Sequence, residues 1–455
     1  MSIEKPTMWL QTSIGSLCNL INGRAFKPKE WSEAGLPIIR IQNLNNPDAK
    51  YNHFDGELAD KQRIETGDLL FAWSGTPGTS FGAHVWKGET AALNQHIFKI
   101  EFSEALIDKR FLRYAINQTL DELISGAHGG VGLRHITKGK FEATEIAFPS
   151  LTEQKVIADK LDTLLAQVEN TKARLERIPK ILKRFRQSVL AAAVSGRLTE
   201  EWRRDSTYNG EGYPASWTFK HLSEVGQLAR GKSKHRPRND PRLFGADYPF
   251  IQTGEVANAA GEITSATRFY SEFGLQQSRL FPAGTLCITI AANIADTAIL
   301  GIDACFPDSV VGFTPKDSEA LAYFVKYLID VNKQDLESFA PATAQKNINL
   351  KVLNELRLPF PSLEEQTEIV RRVDQLFAHA DRIEHQVNNA LTRVNNLAQS
   401  VLAKAFRGEL TEQWRKDNPE LISGENSAEA LLERIKAERA AVTPMKKTRK
   451  RKVTA

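Results

Sequence analysis

Two long stretches of the chain carry mainly apolar residues at alternating spacings of four and three. In the first stretch these positions are Ile157, Leu161, Leu164, Val168, Thr171, Leu175, Ile178, Leu182, Phe185 and Val189. In the second they are Ile369, Val373, Leu376, Ala380, Ile383, Val387, Ala390, Val394, Leu397 and Val401. This heptad period predicts two helices of about 40 residues, each with one coiled-coil seam.

The two stretches are copies of one another. Residues 149–203 align with residues 361–415 without a gap, and 21 of 55 positions are identical. Each copy opens on the capping-box spacing Ser-x-x-Glu, at Ser150 and at Ser362, which predicts a helix start. Gly196 and Gly408 close the copies and suit helix C-caps. Pro179 lacks an amide hydrogen and predicts a break near Ile178 in the first copy only.

A long apolar stripe needs a partner helix, and the other copy can supply it. The first helix leads from one globular segment to the next, and the second helix leaves that next segment. The two copies would therefore pack antiparallel within one chain. A coiled coil between two identical chains remains the alternative.

The flanking segments repeat as well, more faintly. Trp9 matches Trp217 and Gly23 matches Gly231, and "LPIIRIQNL" at Leu36 parallels "YPFIQTGEV" at Tyr248. Short strands with glycine and proline turns, plus two helical pieces, make each segment α+β. The predicted fold is two α+β domains and two long antiparallel coiled-coil helices, from a tandem duplication with pseudo-two-fold symmetry. Its divisions are 1–149, 150–205, 206–360, 361–420 and 421–455.

Composition narrows the class of protein. The 455 residues allow two to four domains, and no apolar run reaches the roughly 18 residues of a membrane span. The start has no apolar secretory region, and three cysteines without a CxxC pair suit a reducing cytoplasm. No histidine spacing indicates a metal site. The net charge of +5 comes from residues 150–205 and from the basic tail "KKTRKRK", which is a solvated end or a nucleic-acid contact.

Catalytic motifs are missing, with one false match. "GQLARGKS", starting at Gly226, has the spacing of a phosphate-binding loop. That motif requires a helix directly after the loop, and Pro237 and Pro241 would break one there. We therefore predict no ATP site.

The same segment is strongly basic and suits phosphate contacts and guanine recognition in a DNA groove. The same basic residues are equally consistent with a solvated surface loop that contacts no DNA. Other side chains capable of base or phosphate contacts stand at matching points of the two domains. The candidate DNA-binding residues in the two domains are Arg24, Lys27, Lys29, Arg40, Gln42, Asn43, Trp73, Ser74, Arg134, His135, Lys232, Lys234, Arg236, Arg238, Gln252, Thr253, Lys346 and Asn347.

Just past each predicted helix lies a pair of large apolar residues one helical turn apart. These pairs are Leu198 with Trp202 and Leu410 with Trp414. They are interpreted either as duplicated docking patches for a partner or as caps packed on their own helix.

Two divergent domains, each closed by "PSLxEQ" and a long helix, with "SVLAKAFRGELTEQWR" after the second, resemble the specificity subunit of type I restriction–modification enzymes. The second copy and "NPELISGENSAEALLERIKAERAA" resemble the type IA group in particular. The resemblance covers the whole chain, with high specificity over the helical repeats and low specificity over the two domains.

The resemblance implies a non-catalytic subunit. Each domain would be a target-recognition domain that reads one half of a bipartite site on double-stranded DNA, and the helices would set the spacer. Two modification (methyltransferase) subunits would dock around the repeats, and two restriction (translocase/endonuclease) subunits would complete the complex. S-adenosylmethionine, ATP and Mg would be held by these partners, with no cofactor in this chain.

The run "KILKRFR" occurs only in the first copy. Its Lys180, Lys183, Arg184 and Arg186 are predicted to face DNA phosphates or an acidic partner surface, with a solvated helix face as the alternative. Two other classes of function stay open at this point. One is a stand-alone bipartite DNA-binding protein, and the other is a coiled-coil scaffold whose domains bind proteins.

Overall fold

The computed structural model describes residues 6, 8–46, 49–75, 81–120, 134–204, 207–291, 294–338 and 348–442. These divide into two compact units, Met1–Arg174 with Ala390–Ala455, and Leu175–Asn389. Each unit combines one of the predicted globular domains with parts of both repeat helices.

The first domain is a mixed α+β fold. Asp108 caps its longest described helix by accepting a 2.9 Å hydrogen bond from the Phe111 amide, as expected of an aspartate N-cap. Its elements are β1 (Leu10–Ser13), α1 (Ile14–Leu17), β2 (Asn19–Asn22), β3 (Leu36–Ile39), α2 (Ile41–Asn45), β4 (Asn52–Phe54), β5 (Arg63–Ile64), β6 (Leu69–Ala72), β7 (Ser74–Gly75), β8 (Gly82–Val85), β9 (Ala91–Leu93), β10 (Ile97–Glu101), α3 (Lys109–Gln118), β11 (Arg134–His135), α4 (Lys138–Ala143) and β12 (Glu145–Phe148).

The first repeat follows directly. It consists of α5 (Leu151–Leu175), α6 (Ile178–Val194) and the short α7 (Glu200–Arg203). The interruption between α5 and α6 confirms the predicted break, because Pro179 lies in the first turn of α6, where a proline needs no helical hydrogen bond.

The second domain has the same class of fold. Its elements are β13 (Thr218–His221), α8 (Leu222–Val225), β14 (Gly226–Arg230), β15 (Phe244–Phe250), α9 (Thr253–Asn258), β16 (Glu262–Ile263), β17 (Arg268–Tyr270), α10 (Glu272–Gln276), β18 (Leu280–Phe281), β19 (Leu286–Thr289), β20 (Thr297–Leu300), β21 (Ala304–Cys305), β22 (Val310–Pro315), α11 (Ala322–Val331), α12 (Lys333–Ser338), α13 (Leu350–Glu355) and β23 (Arg357–Phe360).

Three sheets of each domain correspond in strand order, although β16 adds a fifth strand to one sheet of the second domain and the first domain also has the two-stranded sheet β11-β7. In the first domain they are β1-β12, β2-β10-β6-β8 and β4-β3-β9-β5. In the second they are β13-β23, β14-β22-β19-β20-β16 and β17-β15-β21-β18. The duplication therefore includes the domains, although their sequences differ at most positions.

The second repeat begins with one unbroken helix, α14 (Leu363–Phe406), of 44 residues. It is followed by α15 (Glu412–Asp417) and the C-terminal α16 (Ala428–Val442). Most predicted seam residues are buried or half-buried, but Thr171 is exposed and Leu397 is 51% exposed. The prediction was wrong at these two positions.

The two repeats pack antiparallel within each unit. In the first unit, the start of α5 (Ile157, Leu161) shares a core with the end of α14 (Val401, Phe406). In the second unit, the end of α6 (Val189) shares a core with the start of α14 (Ile369). The globular domain of each unit contributes to the same core, so helices and domain are one folded body.

Among the described helices, none is both long and apolar enough to span a membrane. Cys18, Cys287 and Cys305 are free thiols, and all three are buried.

Candidate nucleic-acid interface

A buried carboxylate joins domain and helices in the second unit. Glu365, in the first turn of α14, accepts hydrogen bonds from Trp217 Nε1 at 3.0 Å and from Thr199 Oγ1 at 2.7 Å. It also pairs with Arg203 at 2.6 Å, and both charged side chains are only 4% exposed. We call this cluster the second anchor.

The first unit contains the same arrangement. Glu153 of α5 accepts hydrogen bonds from Trp9 Nε1 at 2.8 Å and from Thr411 Oγ1 at 2.6 Å. Arg415 pairs with it at 2.7 Å, and the Glu153 side chain is 1% exposed. This first anchor fixes the start of the first domain, the start of one helix and the end of the other repeat to one point.

The anchors correct the capping-box prediction. Ser150 Oγ and Ser362 Oγ accept 3.3 Å hydrogen bonds from the amides three residues on, as predicted. The carboxylates of Glu153 and Glu365 accept side-chain hydrogen bonds from tryptophan, threonine and arginine residues far away in the sequence, so these glutamates make long-range contacts.

The glutamines of the two "EQ" pairs also make long-range contacts. Gln154 accepts a 3.0 Å hydrogen bond from the Asp108 amide at the start of α3. Gln366 accepts one of 2.9 Å from the Leu321 amide at the start of α11. The repeated "SLxEQ" sequence thus holds each domain to its helix by two residues, and sequence reasoning found only the serine's role.

The basic loop of the second domain follows β14, and residues 231–240 contain no α-helix, as expected from Pro237. Lys232, Lys234, Arg236 and Arg238 are all exposed, and Arg238 lies 3.1 Å from Asp308. The loop is braced by Asp240, which bonds His235 Nε2 at 2.8 Å. Hydrogen bonds from Arg242 and then from His235 hold the pKa of Asp240 well below its usual range, so the brace stays ionised.

Beside this loop lies a concave surface with an aromatic floor. Phe250 and Tyr270 stack at 4.1 Å between ring centroids, and burial raises the pKa of the Tyr270 hydroxyl. The polar groups around the floor are Ser233, Arg238, Gln252, Thr253, Arg268 and Ser309. The structure thus brings Arg238, Gln252 and Thr253 together as predicted candidates and adds Arg268, which sequence reasoning missed. Only the pairing of β17 with β15 reveals Arg268.

In the first domain Lys27 and Lys29 are exposed, but Arg24 is engaged by its own domain. It forms an ion pair with Glu30, and its guanidinium lies 4.6 Å from the Phe54 ring. This pairing reduces its availability for DNA.

The next group of candidates lies around the start of α2. Arg40 is half-buried and Gln42 is exposed. Asn43 is 1% exposed, and its amide bonds the backbone of Arg40 at 3.1 Å and of Ala49 at 3.2 Å. The prediction of a base contact is therefore wrong for Asn43, whose role is to shape the loop.

Two further candidate DNA-binding residues pack into the interior of the first domain. Ser74 is 3% exposed, so a groove contact for it was also wrong. Trp73 is half-buried and stacks on Phe98 at 5.8 Å. Arg134 and His135 form β11, which pairs with β7, and their side chains lie outside the described part of the structure, as do Lys346 and Asn347 entirely.

The basic run on α6 divides into two groups. Lys180, Lys183 and Arg184 are exposed. Arg186 instead pairs with Asp381 at 2.6 Å and Glu384 at 2.8 Å on α14. The predicted external contact is therefore wrong for Arg186 and stays a prediction for Lys183 and Arg184.

The predicted docking pairs are partly packed on their own units. Leu198 and Leu410 contact the cores, and their carbonyls accept hydrogen bonds from Arg372 at 2.8 Å and from Lys160 at 2.6 Å. Trp202 is 41% exposed, whereas Trp414 is half-buried. The leucines act as caps, and the tryptophans remain candidates for docking.

Among the described side chains, no group of three or more histidine, cysteine or acidic residues is arranged to hold a metal ion.

The chain matches a known family over most of its length. The family described as "Type I restriction modification DNA specificity domain" matches residues 6–180 and 214–393. The EcoBI specificity subunit of Escherichia coli is 40% identical over 97% of this chain and 95% of its own length. The EcoKI specificity subunit of Escherichia coli strain K12 is 36% identical over 98% of both chains.

Solved structures show the same fold. A chain from a structure of type I restriction–modification complex assembly aligns with a TM-score of 0.69 at 18% identity, over 89% of this chain and 99% of that one. The HsdS subunit from Thermoanaerobacter tengcongensis aligns with a TM-score of 0.59 at 18% identity, over 90% of this chain and 99% of that one. With duplicated domains, antiparallel repeats and a family match over both halves, the chain belongs to the specificity subunits of type I restriction enzymes.

Proposed function

We propose that this chain directs a type I restriction–modification complex to a two-part DNA sequence. Each domain reads one half of the site, and the repeat helices set the number of base pairs between the halves. Linking two readers by a stiff connection raises their joint affinity and makes spacing part of the specificity.

The observation that carries this proposal is the pair of anchors. A domain that measures spacing must be held rigidly on its helices. The buried Glu153 and Glu365 each tie a domain tryptophan to both repeats. Buried charged pairs of this kind tolerate little displacement, because a broken pair leaves an uncompensated charge.

In this proposal the catalysed reactions are carried out by partner subunits. Two modification subunits dock around the two repeats, with Trp202 and Trp414 as candidate contacts, and two restriction subunits complete the complex. S-adenosylmethionine, ATP and Mg are held by those partners. The three free, buried cysteines support a reducing compartment, and we propose the cytoplasm.

The experiment that tests the function is genome-wide adenine methylation in a host carrying this gene and active partner genes, with and without the gene. We expect a gene-dependent motif of two short specific halves at fixed spacing. Exchange of residues 1–149 for those of another specificity subunit should change one half only. Absence of gene-dependent methylation, with active partners present, would favour a stand-alone DNA-binding protein.

We also expect Lys183→Glu with Arg184→Glu to weaken DNA binding by the assembled complex. If the two side chains neutralise two phosphates, the slope of log affinity against log salt should fall by about two. A control that changes net charge equally is Lys416→Glu with Lys436→Glu, since both lysines are exposed and paired on the surface. An unchanged slope in the first variant would leave α6 as a partner-facing or solvated surface.

A further inference from the structure

One backbone position is equivalent in the two domains but carries different chemistry. Arg40 precedes α2 with φ −107° and ψ 165°, and Gln252 precedes α9 with φ −102° and ψ 165°. Both follow a central strand, β3 or β15. The scaffold therefore presents an arginine in one domain and a glutamine in the other from nearly the same backbone conformation.

The neighbouring strand supplies a second equivalent position. Ile38 is opposite Asn52 in the β3–β4 pair, and Phe250 is opposite Arg268 in the β15–β17 pair. Ile38 and Phe250 each lie two residues before the position just described. In the second domain Gln252 and Arg268 both line the concave surface, and the equivalent backbone positions of the first domain carry Arg40 and Asn52. We call these the reading pairs, Arg40 with Asn52 and Gln252 with Arg268.

In each domain the third residue of the helix holds this arrangement together. Asn43 accepts a hydrogen bond from the Arg40 amide and donates one to the Ala49 carbonyl. Glu255 accepts one of 2.8 Å from the Gln252 amide, and one of 3.0 Å from the Thr267 amide beside Arg268. Asn43 and Glu255 are thus positioning residues that fix the helix start relative to the chain leading into the second strand.

Both arginines of the reading pairs lie over an aromatic ring. Arg268 is exposed, lies 4.8 Å over the Phe244 ring and lines the concave surface together with Gln252. Arg40 lies 5.9 Å from the ring of Trp31, and its buried Nε has no hydrogen-bond partner within the described residues. A guanidinium held on an aromatic face keeps its planar set of donors for bidentate contacts.

The spacing within a reading pair suits two bases of one strand that are separated by one intervening base. Diagonal neighbours across an antiparallel pair lie about 7–8 Å apart, which is about two base-pair steps at roughly 3.4 Å per step along a strand. Arginine pairs bidentately with guanine, and glutamine or asparagine pairs with adenine. We propose that the reading pairs determine base specificity, with one guanine and one adenine contact in each half-site and the two contacts in opposite order in the two domains.

This inference rests on the proposed function and is tested in the same host. We expect Gln252→Ala and Arg268→Ala each to relax one base position of the second half-site, by about tenfold to a hundredfold in relative methylation. The first half-site should stay unchanged, so each domain serves as the control for the other. Arg40→Gln should replace a guanine by an adenine preference in the first half-site.

Matched controls are Gln227→Ala and Arg279→Ala, exposed residues of the same two types that do not line the concave surface. Binding of the assembled complex to duplexes with each base at the affected position separates reading from folding. Equal loss of affinity for all four bases would overturn the inference, as would an unchanged motif in every variant. Absence of a motif with the unaltered chain would instead contradict the proposed function.

Discussion

We expect Glu365→Ala to lower the free energy of unfolding of the second unit by about 3–5 kcal/mol, because it leaves the buried Arg203 guanidinium without its carboxylate. It also removes the acceptor of the Trp217 and Thr199 hydrogen bonds. For a unit of this size the midpoint of thermal unfolding should fall by roughly 6–20 °C. Scanning calorimetry of the full chain measures this change.

The control for that substitution is Glu337→Ala, which removes an exposed carboxylate from α12 of the same unit. A surface change of this kind should alter stability by no more than about 0.5 kcal/mol. Glu153→Ala should lower the stability of the first unit by an amount similar to that of Glu365→Ala. If Glu365→Ala unfolds at the same midpoint as the control, the anchors do not stabilise the fold.

Gly408→Ala should destabilise the first unit by about 2 kcal/mol or more. Gly408 has φ +80°, and an added Cβ would lie 2.3 Å from Pro6 Cγ. The left-handed conformation alone costs an alanine about 1–2 kcal/mol, and the contact with Pro6 adds to it. Denaturant-induced unfolding with a constant slope measures the change.

The matched control is Gly424→Ala, at φ +59° with nothing within 4 Å of the added Cβ, and it isolates the conformational cost. Adding Pro6→Ala to Gly408→Ala should restore the stability lost through the steric contact with Pro6. It should not restore the stability lost through the left-handed backbone conformation. If Gly408→Ala and Gly424→Ala lower the free energy of unfolding equally, the contact between Pro6 and the repeat has room for the added methyl group. Gly196, whose added Cβ would lie 2.4 Å from Pro214 Cγ, offers the same test in the second unit.

Local signals predicted the helical frame well. The heptad period, the serine caps and the break at Pro179 all depend on neighbouring residues. The structure agrees with the caps and the break, and with the heptad period except at Thr171 and Leu397. The duplication of the domains was also visible, because a few glycines, prolines and tryptophans stand at a constant offset. The predicted burial of Leu397 was wrong because the heptad period shows which residues are apolar. It does not show whether another element covers them.

The sites were predicted less well, since their geometry depends on contacts far apart in the chain. Glu153 resembles a cap residue locally, and only folding brings Arg415 to it across 262 positions. Asn43 was a candidate for contact with DNA, but its amide is engaged by the backbone of its own loop. The sequence around Arg268 did not indicate a role for this residue. Its place in the site became apparent only from the register of β15 with β17. A useful clue was present all the same, since the glutamate, threonine and arginine of the anchors each recur 212 residues apart, and the tryptophans 208 residues apart.

The composition of the anchors has a consequence for the origin of the chain. Each anchor takes its glutamate from one repeat and its threonine and arginine from the other. In a polypeptide with a single repeat, the glutamate could contact the threonine and arginine in this way only in a second molecule. The glutamate of that second molecule would make the same contacts with the first. Such reciprocal contacts characterise two-fold homodimers. Gene duplication therefore converts an interface between two identical subunits into an internal one, after which the two domains are free to diverge toward different DNA sequences.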